Sequence, residues 1–136
     1  MKIQERAVLH NRFDVKVVDA ASGKVKQTAV GFNVITNYYF NSRLTGSPLS
    51  KTSDLFRYIA IGTGTGTPAV TDTALFSHLT RKAMTTLETV YEYPTSHITK
   101  QIKLEATECN GSTITEVALE GVYSGTWSDS YYIMSH

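Results

Sequence analysis

Polar and apolar positions alternate along this chain more often than they recur at helical spacing. Phe13-Asp14-Val15-Lys16-Val17 alternates strictly, the period of a strand with one face buried. Lys24-Val25-Lys26-Gln27-Thr28-Ala29-Val30 continues it less regularly. The intervening Asp19-Ala20-Ala21-Ser22-Gly23-Lys24 has the residues of a tight turn, with glycine where positive φ is needed. Residues 7–18 and 24–32 therefore predict an N-terminal hairpin. From Arg81 to Tyr93 the pattern predicts one long strand, with Leu87, Thr89, Tyr91 and Tyr93 on one face, Thr86, Glu88, Val90 and Glu92 on the other, and Pro94 as its end. Residues 97–107 alternate most clearly. Ile98, Ile102, Leu104 and Ala106 form the apolar face, interrupted by Lys100, and Thr99, Gln101, Lys103 and Glu105 form the polar one. Asn110-Gly111 then gives a two-residue hairpin signal leading into Ile114-Thr115-Glu116-Val117-Ala118-Leu119-Glu120. Residues 121–129 are turn-rich, and Tyr131-Tyr132-Ile133-Met134 predicts a last strand.

Leu55-Phe56-Arg57-Tyr58-Ile59-Ala60-Ile61 is a largely unbroken apolar run, the pattern of a central strand. Helical spacing occurs twice. Ile35, Tyr39 and Leu44, with Phe40, share a face in residues 33–44, and Asn33 or Thr36 is placed to cap. Residues 71–79 suggest a short helix capped by Thr71, with Ala74, Leu75 and Leu79 inward and His78 at its end. Thr45 to Asp54, rich in Gly, Ser, Thr and Pro, reads as a loop. The expected fold is mainly β, sandwich-like, with about seven strands and two short α-helices. It forms a single domain over residues 1–136 whose hairpin at 7–32 is a candidate interaction element.

Composition narrows the functional classes. The 136 residues suffice for one real core. A formal net charge of +1 with 18% charged residues favours neither nucleic acid nor an anionic membrane as partner. No apolar run follows Met1-Lys2-Ile3-Gln4-Glu5-Arg6, so no signal peptide is expected, and no apolar run is long enough for a membrane span. Cys109 is the single cysteine, which excludes an intrachain disulfide and argues against a cysteine-built metal site.

The candidate chemistry is sparse. Ile59-Ala60-Ile61-Gly62-Thr63-Gly64-Thr65-Gly66-Thr67-Pro68 looks like a phosphate-binding glycine loop. Counted from Gly62, however, the nucleotide spacings need glycine at 67 and lysine at 68, where Thr67 and Pro68 stand. Proline has no N–H to give an anion. Alternating Gly and Thr after a strand is more simply an extended connector. His10, His78, His97 and His136 show no metal-ligand spacing, so no metal or other cofactor is expected. Glu88 with Glu92, and Glu116 with Glu120, read as solvated strand faces rather than the opposed carboxylates of a glycosidase. Ser130, His97 and Asp129 lack any nucleophile-elbow context. No catalytic residue is assigned and no enzymatic activity is expected. Asn110-Gly111-Ser112 matches a glycosylation sequon, but Asn-Gly is accounted for by the turn. Tyr123, Trp127, Tyr131 and Tyr132 form an aromatic group suited to core, to a subunit contact or to carbohydrate stacking, with core or contact favoured.

Several segments taken in order resemble a family of small virion proteins of tailed bacteriophages, found in tails, baseplates and fibres and including the collar-attaching domain of some tail fibres. They are Asn33-Val34-Ile35-Thr36-Asn37, Tyr58-Ile59-Ala60-Ile61-Gly62-Thr63-Gly64, Thr67-Pro68, Asp72-Thr73-Ala74-Leu75, Arg81, and Ile114-Thr115-Glu116-Val117-Ala118-Leu119. They cover roughly residues 33–123; Ala118 stands where glycine is common in the family. The resemblance implies a virion structural protein, assembled in the host cytoplasm, with other virion proteins as partners and a ring or trimer of like subunits. It implies no catalytic residue. Capsid decoration, or a module binding host polysaccharide, is the alternative expectation.

Overall fold

The computed structural model describes residues 9–44, 56–92, 95–124 and 129–136. The expected loop at 45–54, Pro94 and Trp127 lie outside them. The described chain is mainly β, with eight strands in three sheets and one short helix.

The first sheet is the N-terminal hairpin, β1 (Asn11–Val18) paired antiparallel with β2 (Val25–Asn33). Its turn is organised by the Asp19 carboxylate, which accepts from Ala21 N, Ser22 N and the Ser22 hydroxyl at 2.9–3.1 Å. Gly23 takes φ +71° there, where a side chain would be strained. Lys26 Nζ lies 2.7 Å from Asp19. Together with the Ser22 contacts it holds the Asp19 carboxyl down at about 2.

Helix α1 (Asn37–Leu44) follows. Neither expected cap serves it. The Thr36 hydroxyl donates to Ile133 O at 2.6 Å, and the Asn33 amide donates to Val117 O at 2.9 Å. Both side chains fasten the helix entry to the sheet instead, because buried carbonyls there need donors.

The main sheet runs β4 (His78–Ala83), β3 (Tyr58–Gly62), β7 (Glu116–Ser124), β8 (Asp129–Ser135), antiparallel throughout. β3 is central, as its apolar run requires. Directly paired residues share a face, so Tyr58, Ala60, Arg81, Ala118, Glu120, Tyr131 and Ile133 lie on one side. There Ala60, Ala118 and Ile133 pack with Leu75. On the other side Met134, fully buried, packs with Tyr38, Tyr39, Phe56, Leu119 and Tyr132. Helix α1 covers that second face, with Tyr38 stacked on Tyr132 at 4.4 Å and Tyr39 on Phe56 at 5.6 Å. Residues 34–36 cover the C-terminal end of the outer edge of β8. Val34 and His136 exchange both backbone bonds (2.7 and 2.9 Å), and Thr36 N donates to Met134 O at 3.0 Å.

The third sheet pairs β5 (Thr85–Val90) with β6 (His97–Gln101). The single long strand expected from Arg81 is therefore two. The chain breaks at Met84, whose N–H donates to Arg57 O at 2.9 Å. Beyond it the chain leaves β3 and pairs with β6. The strand expected over 97–107 stops at Gln101. Residues 102–105 keep their alternation, with Ile102 and Leu104 half-buried and Lys103 and Glu105 exposed, but pair with no strand. They are held instead by Lys82 Nζ, which donates to Lys103 O and to Glu108, and by Glu105 N, which donates to Glu108. Asn110-Gly111 sits in a turn, with Gly111 at φ +79°, Cys109 at φ +57° and Ser112 N donating to Cys109 O. It does not close a hairpin, because neither flank is a strand paired to the other.

The helix expected over 71–79 is absent. Asp72 forms a local turn, its side chain accepting from Ala69 N at 2.8 Å. The N–H groups of Phe76 and Ser77 donate to the Glu116 carboxylate at 2.7 and 3.0 Å, and β4 starts at the next residue. A distant carboxylate takes the donors that a helix would have used. Leu75 is buried as expected, without helical backbone.

Candidate functional site

The Gly/Thr loop is explained by one side chain. Glu116, at the start of β7, points from the sheet under residues 62–77. One carboxylate oxygen accepts from Gly64 N and Ser77 N; the other accepts from Phe76 N. The glycines permit this approach. A Cβ at Gly62 or Gly64 would collide with the Glu116 carboxylate, and one at Gly66 with the Phe76 ring. Thr115 secures the same loop, its hydroxyl donating to Gly64 O at 2.6 Å and its N–H to Gly62 O at 3.1 Å.

His136 completes the cluster. Its ring is buried against Phe76 at 4.9 Å, with Nδ1 2.8 Å from Asp72 Oδ2 and Nε2 3.1 Å from Glu116 Oε2. Both contacts are hydrogen bonds when both ring nitrogens carry protons. Burial pushes the Glu116 carboxyl up, but the three backbone N–H groups and His136 outweigh it, and its pKa lies below the ordinary glutamate value. Asp72 is also lowered, first by Ala69 N and then, against some burial, by His136. Asp72, His136 and Glu116 thus bind the loop, the sheet and the segment after β8 into one latch.

This latch has the residue types of an acid–base site and little freedom to act as one. Both imidazole nitrogens face carboxylates, and Glu116 already meets four donors. Among the described residues every buried side-chain nitrogen or oxygen has a partner, and no group of three His, Cys, Asp or Glu is arranged to hold a metal ion. A cleft of about 160 Å³ opens beside the latch, walled by Phe13, Phe32, Pro68, Thr115 and Val117. No strand-spacing argument anticipated the latch. Glu116 and Glu120 read as a solvated face in sequence, yet both are buried. The available signal was the glycine run itself, whose missing side chains mark a close approach.

Glu120 has a different partner. Arg81 bonds both its oxygens, at 2.7 and 3.4 Å, and the guanidinium lies 3.9 Å from the centre of the Tyr131 ring. Tyr58 meets Tyr131 edge to face at 5.5 Å. The aromatic group proposed from sequence is divided by this sheet. Tyr131 pairs across from Val122 and Tyr132 from Gly121, so the two rings occupy opposite faces. Tyr132 belongs to the packing beneath α1. Tyr123 lies in β7, its side chain outside the described residues, as is Trp127.

The remaining distinctive surface is on the two ribbons. Val15, Val17, Val18, Val25, Val30 and Phe32 are exposed on β1–β2, with Phe32 68% accessible. Leu87, Ile98 and the adjoining Tyr91, which is 90% accessible, are exposed on or beside β5–β6. Each ribbon is a two-stranded sheet whose outer edges pair with no other described strand. A two-stranded ribbon is marginally stable alone in water. The base of β1–β2 is anchored to the body by Ser135 Oγ donating to Asn11 Oδ1 at 2.8 Å and by Asn33 donating to Val117 O.

Comparison with known proteins gives no match: no family model, no curated protein and no solved structure is similar to this chain.

Proposed function

We propose that the chain is a structural subunit of a tailed-bacteriophage virion, a tail, baseplate or fibre-adaptor part that works through protein–protein contacts. One observation carries the assembly role: two β-ribbons carry exposed apolar residues, while every buried side-chain polar atom among the described residues already has a partner. Large apolar side chains grouped on free-edged ribbons are characteristic of surfaces that meet another chain. The phage assignment rests on the ordered sequence resemblance over residues 33–123. In this reading the subunits form a ring or trimer, and the ribbons complete a sandwich-like second layer only on assembly. The Asp72–His136–Glu116 cluster serves the fold, and no residue is assigned to catalysis.

The experiment is gold-labelled antibody electron microscopy on purified particles of the phage that encodes the chain. Label at the tail, collar or baseplate is the expected result. Label over the head would move the subunit to capsid decoration. Unlabelled particles, with the protein free in the lysate of infected cells, would overturn the virion reading.

A further inference from the structure

Asn110-Gly111 closes no hairpin, and its surroundings differ from those of the other asparagines, Asn11, Asn33, Asn37 and Asn41. Asn11 and Asn33 lie in paired strands, with their side chains bonded to Ser135 and to Val117 O. Asn37 and Asn41 lie in α1. Asn37 precedes Tyr38, whose ring is stacked on Tyr132, and Asn41 precedes Ser42, which is buried. Asn110 is exposed, and its side-chain amide has no hydrogen-bond partner among the described residues. Gly111 is exposed too, and its N–H donates to no described residue. The pair forms the centre of a turn closed by one backbone bond, from Ser112 N to Cys109 O at 3.1 Å. Gly111 takes φ +79° at its third position, as a type II turn requires. A Cβ on Gly111 would meet nothing within 4 Å, so the space around the turn is open.

We infer that Asn110 is a site of spontaneous covalent modification, in which the Gly111 nitrogen closes on the Asn110 side chain and water then opens the ring to aspartate or isoaspartate. Hydroxide removes the Gly111 N–H proton, and the nitrogen attacks Cγ of Asn110. The Gly111 N–Cγ bond forms, the Cγ–Nδ2 bond breaks, and the departing nitrogen takes a proton from water and leaves as ammonia. The product is a five-membered succinimide. Water then adds across one of its two C–N bonds, with no change of oxidation state. Opening at Cγ gives an ordinary aspartate. Opening at the main-chain carbonyl leaves the chain running through Cβ and Cγ, one atom longer. Glycine permits the attack because it has no side chain to crowd the nitrogen, and because both signs of φ are open to it as the peptide turns toward Cγ. The new carboxylate stands two residues from Glu108, whose own carboxylate already accepts from Lys82 Nζ and Glu105 N. The formal net charge of the chain falls from +1 to zero. The inference is independent of what the chain assembles with.

Incubation of the folded protein in mildly alkaline buffer, followed by tryptic peptide mapping in a mass spectrometer, tests this. The peptide that follows Lys103 contains Asn110 as its one side-chain amide, so a mass gain there assigns the site without ambiguity. The expected result is a gain that grows with time and with pH, while the peptides holding the other asparagines stay unchanged. Methylation by an isoaspartyl methyltransferase is expected to detect the longer link. Hydroxylamine, which attacks the succinimide in place of water, is expected to cut the chain between Asn110 and Gly111. Asn110→Gln is expected to abolish the gain over the same interval, since its attack would need a six-membered ring, and its thermal unfolding should match that of the unaltered chain. An unchanged Asn110 peptide, or a faster gain at another asparagine, would overturn the inference. So would a gain that yields neither isoaspartate nor a hydroxylamine cut, because direct hydrolysis of the amide would then be the route.

Discussion

The main sheet and the β1–β2 ribbon use the same strand chemistry toward opposite ends. In the sheet, polar groups are buried and their partners are distant in sequence: Glu116 binds Gly64, Phe76, Ser77 and His136, and Glu120 binds Arg81. In the ribbon beyond its base, the side-chain polar contacts are local, between Asp19 and Ser22 or Arg12 and Asp14, while valines and Phe32 face solvent. The sheet has turned its carboxylates inward to fix a loop. The ribbon has turned its apolar residues outward and relies on its turn and two asparagines at its base. One region spends its polar groups on contacts within the chain, and the other leaves its apolar residues in solvent.

The largest expected effect breaks the finished region. Glu116→Ala leaves His136 and three backbone donors without their acceptor, and a buried ionic partner removed in this way costs about 3–5 kcal/mol. Urea unfolding measures it; a loss below about 1 kcal/mol would mean that the latch is not holding the loop. The same group sets an acid dependence. Because the folded pKa values of Glu116 and Asp72 are lowered, their stabilisation is fully present above the unfolded carboxyl values and is lost as pH falls through the folded ones. Stability should therefore decline below roughly pH 4, and Glu116→Gln should flatten that decline. A pH profile unchanged by the substitution would remove Glu116 from the account.

A smaller effect is expected from Gly64→Ala, about 1–3 kcal/mol, because the added methyl meets the Glu116 carboxylate and Phe76. In the Glu116→Ala background the cost should shrink, and a double-mutant cycle reads this coupling directly. Additive effects would show that the glycine is required for some other reason. The smallest effect on monomer stability belongs to the ribbon. Phe32→Ser with Val30→Ser should change unfolding by no more than about 0.5 kcal/mol, since both side chains are already exposed. Self-association should nevertheless fall sharply in sedimentation. A large loss of monomer stability would place these side chains in the core and unmake the contrast.

Local patterns made the ribbon legible and left the latch hidden. The alternation of Phe13 to Val17 and the Asp19–Gly23 turn led directly to β1–β2, and the run Tyr58–Ile61 led to the central strand. What failed were segments whose donors or edges are taken by residues far along the chain. Residues 71–79 have helical spacing, but Phe76 N and Ser77 N are claimed by Glu116, some forty positions away. The run from Arg81 reads as one strand because alternation does not record a change of partner at Met84. Glu116 and Glu120 look solvated because period-two patterning gives a face its polarity and not its cover. Gly64, Phe76, Ser77 and His136 supply that cover for Glu116, and only the folded chain brings them over it.

The segment 34–36 that lines β8 has a further consequence. It occupies one margin of the main sheet, while the outer margin of β4 pairs with no other described strand. In the language of polymer growth, the sheet has one open end and one partly terminated end. A strand from elsewhere can add along β4, whereas at the far margin the backbone groups of Met134 and His136 are already spent on residues 34–36 and cannot template another strand.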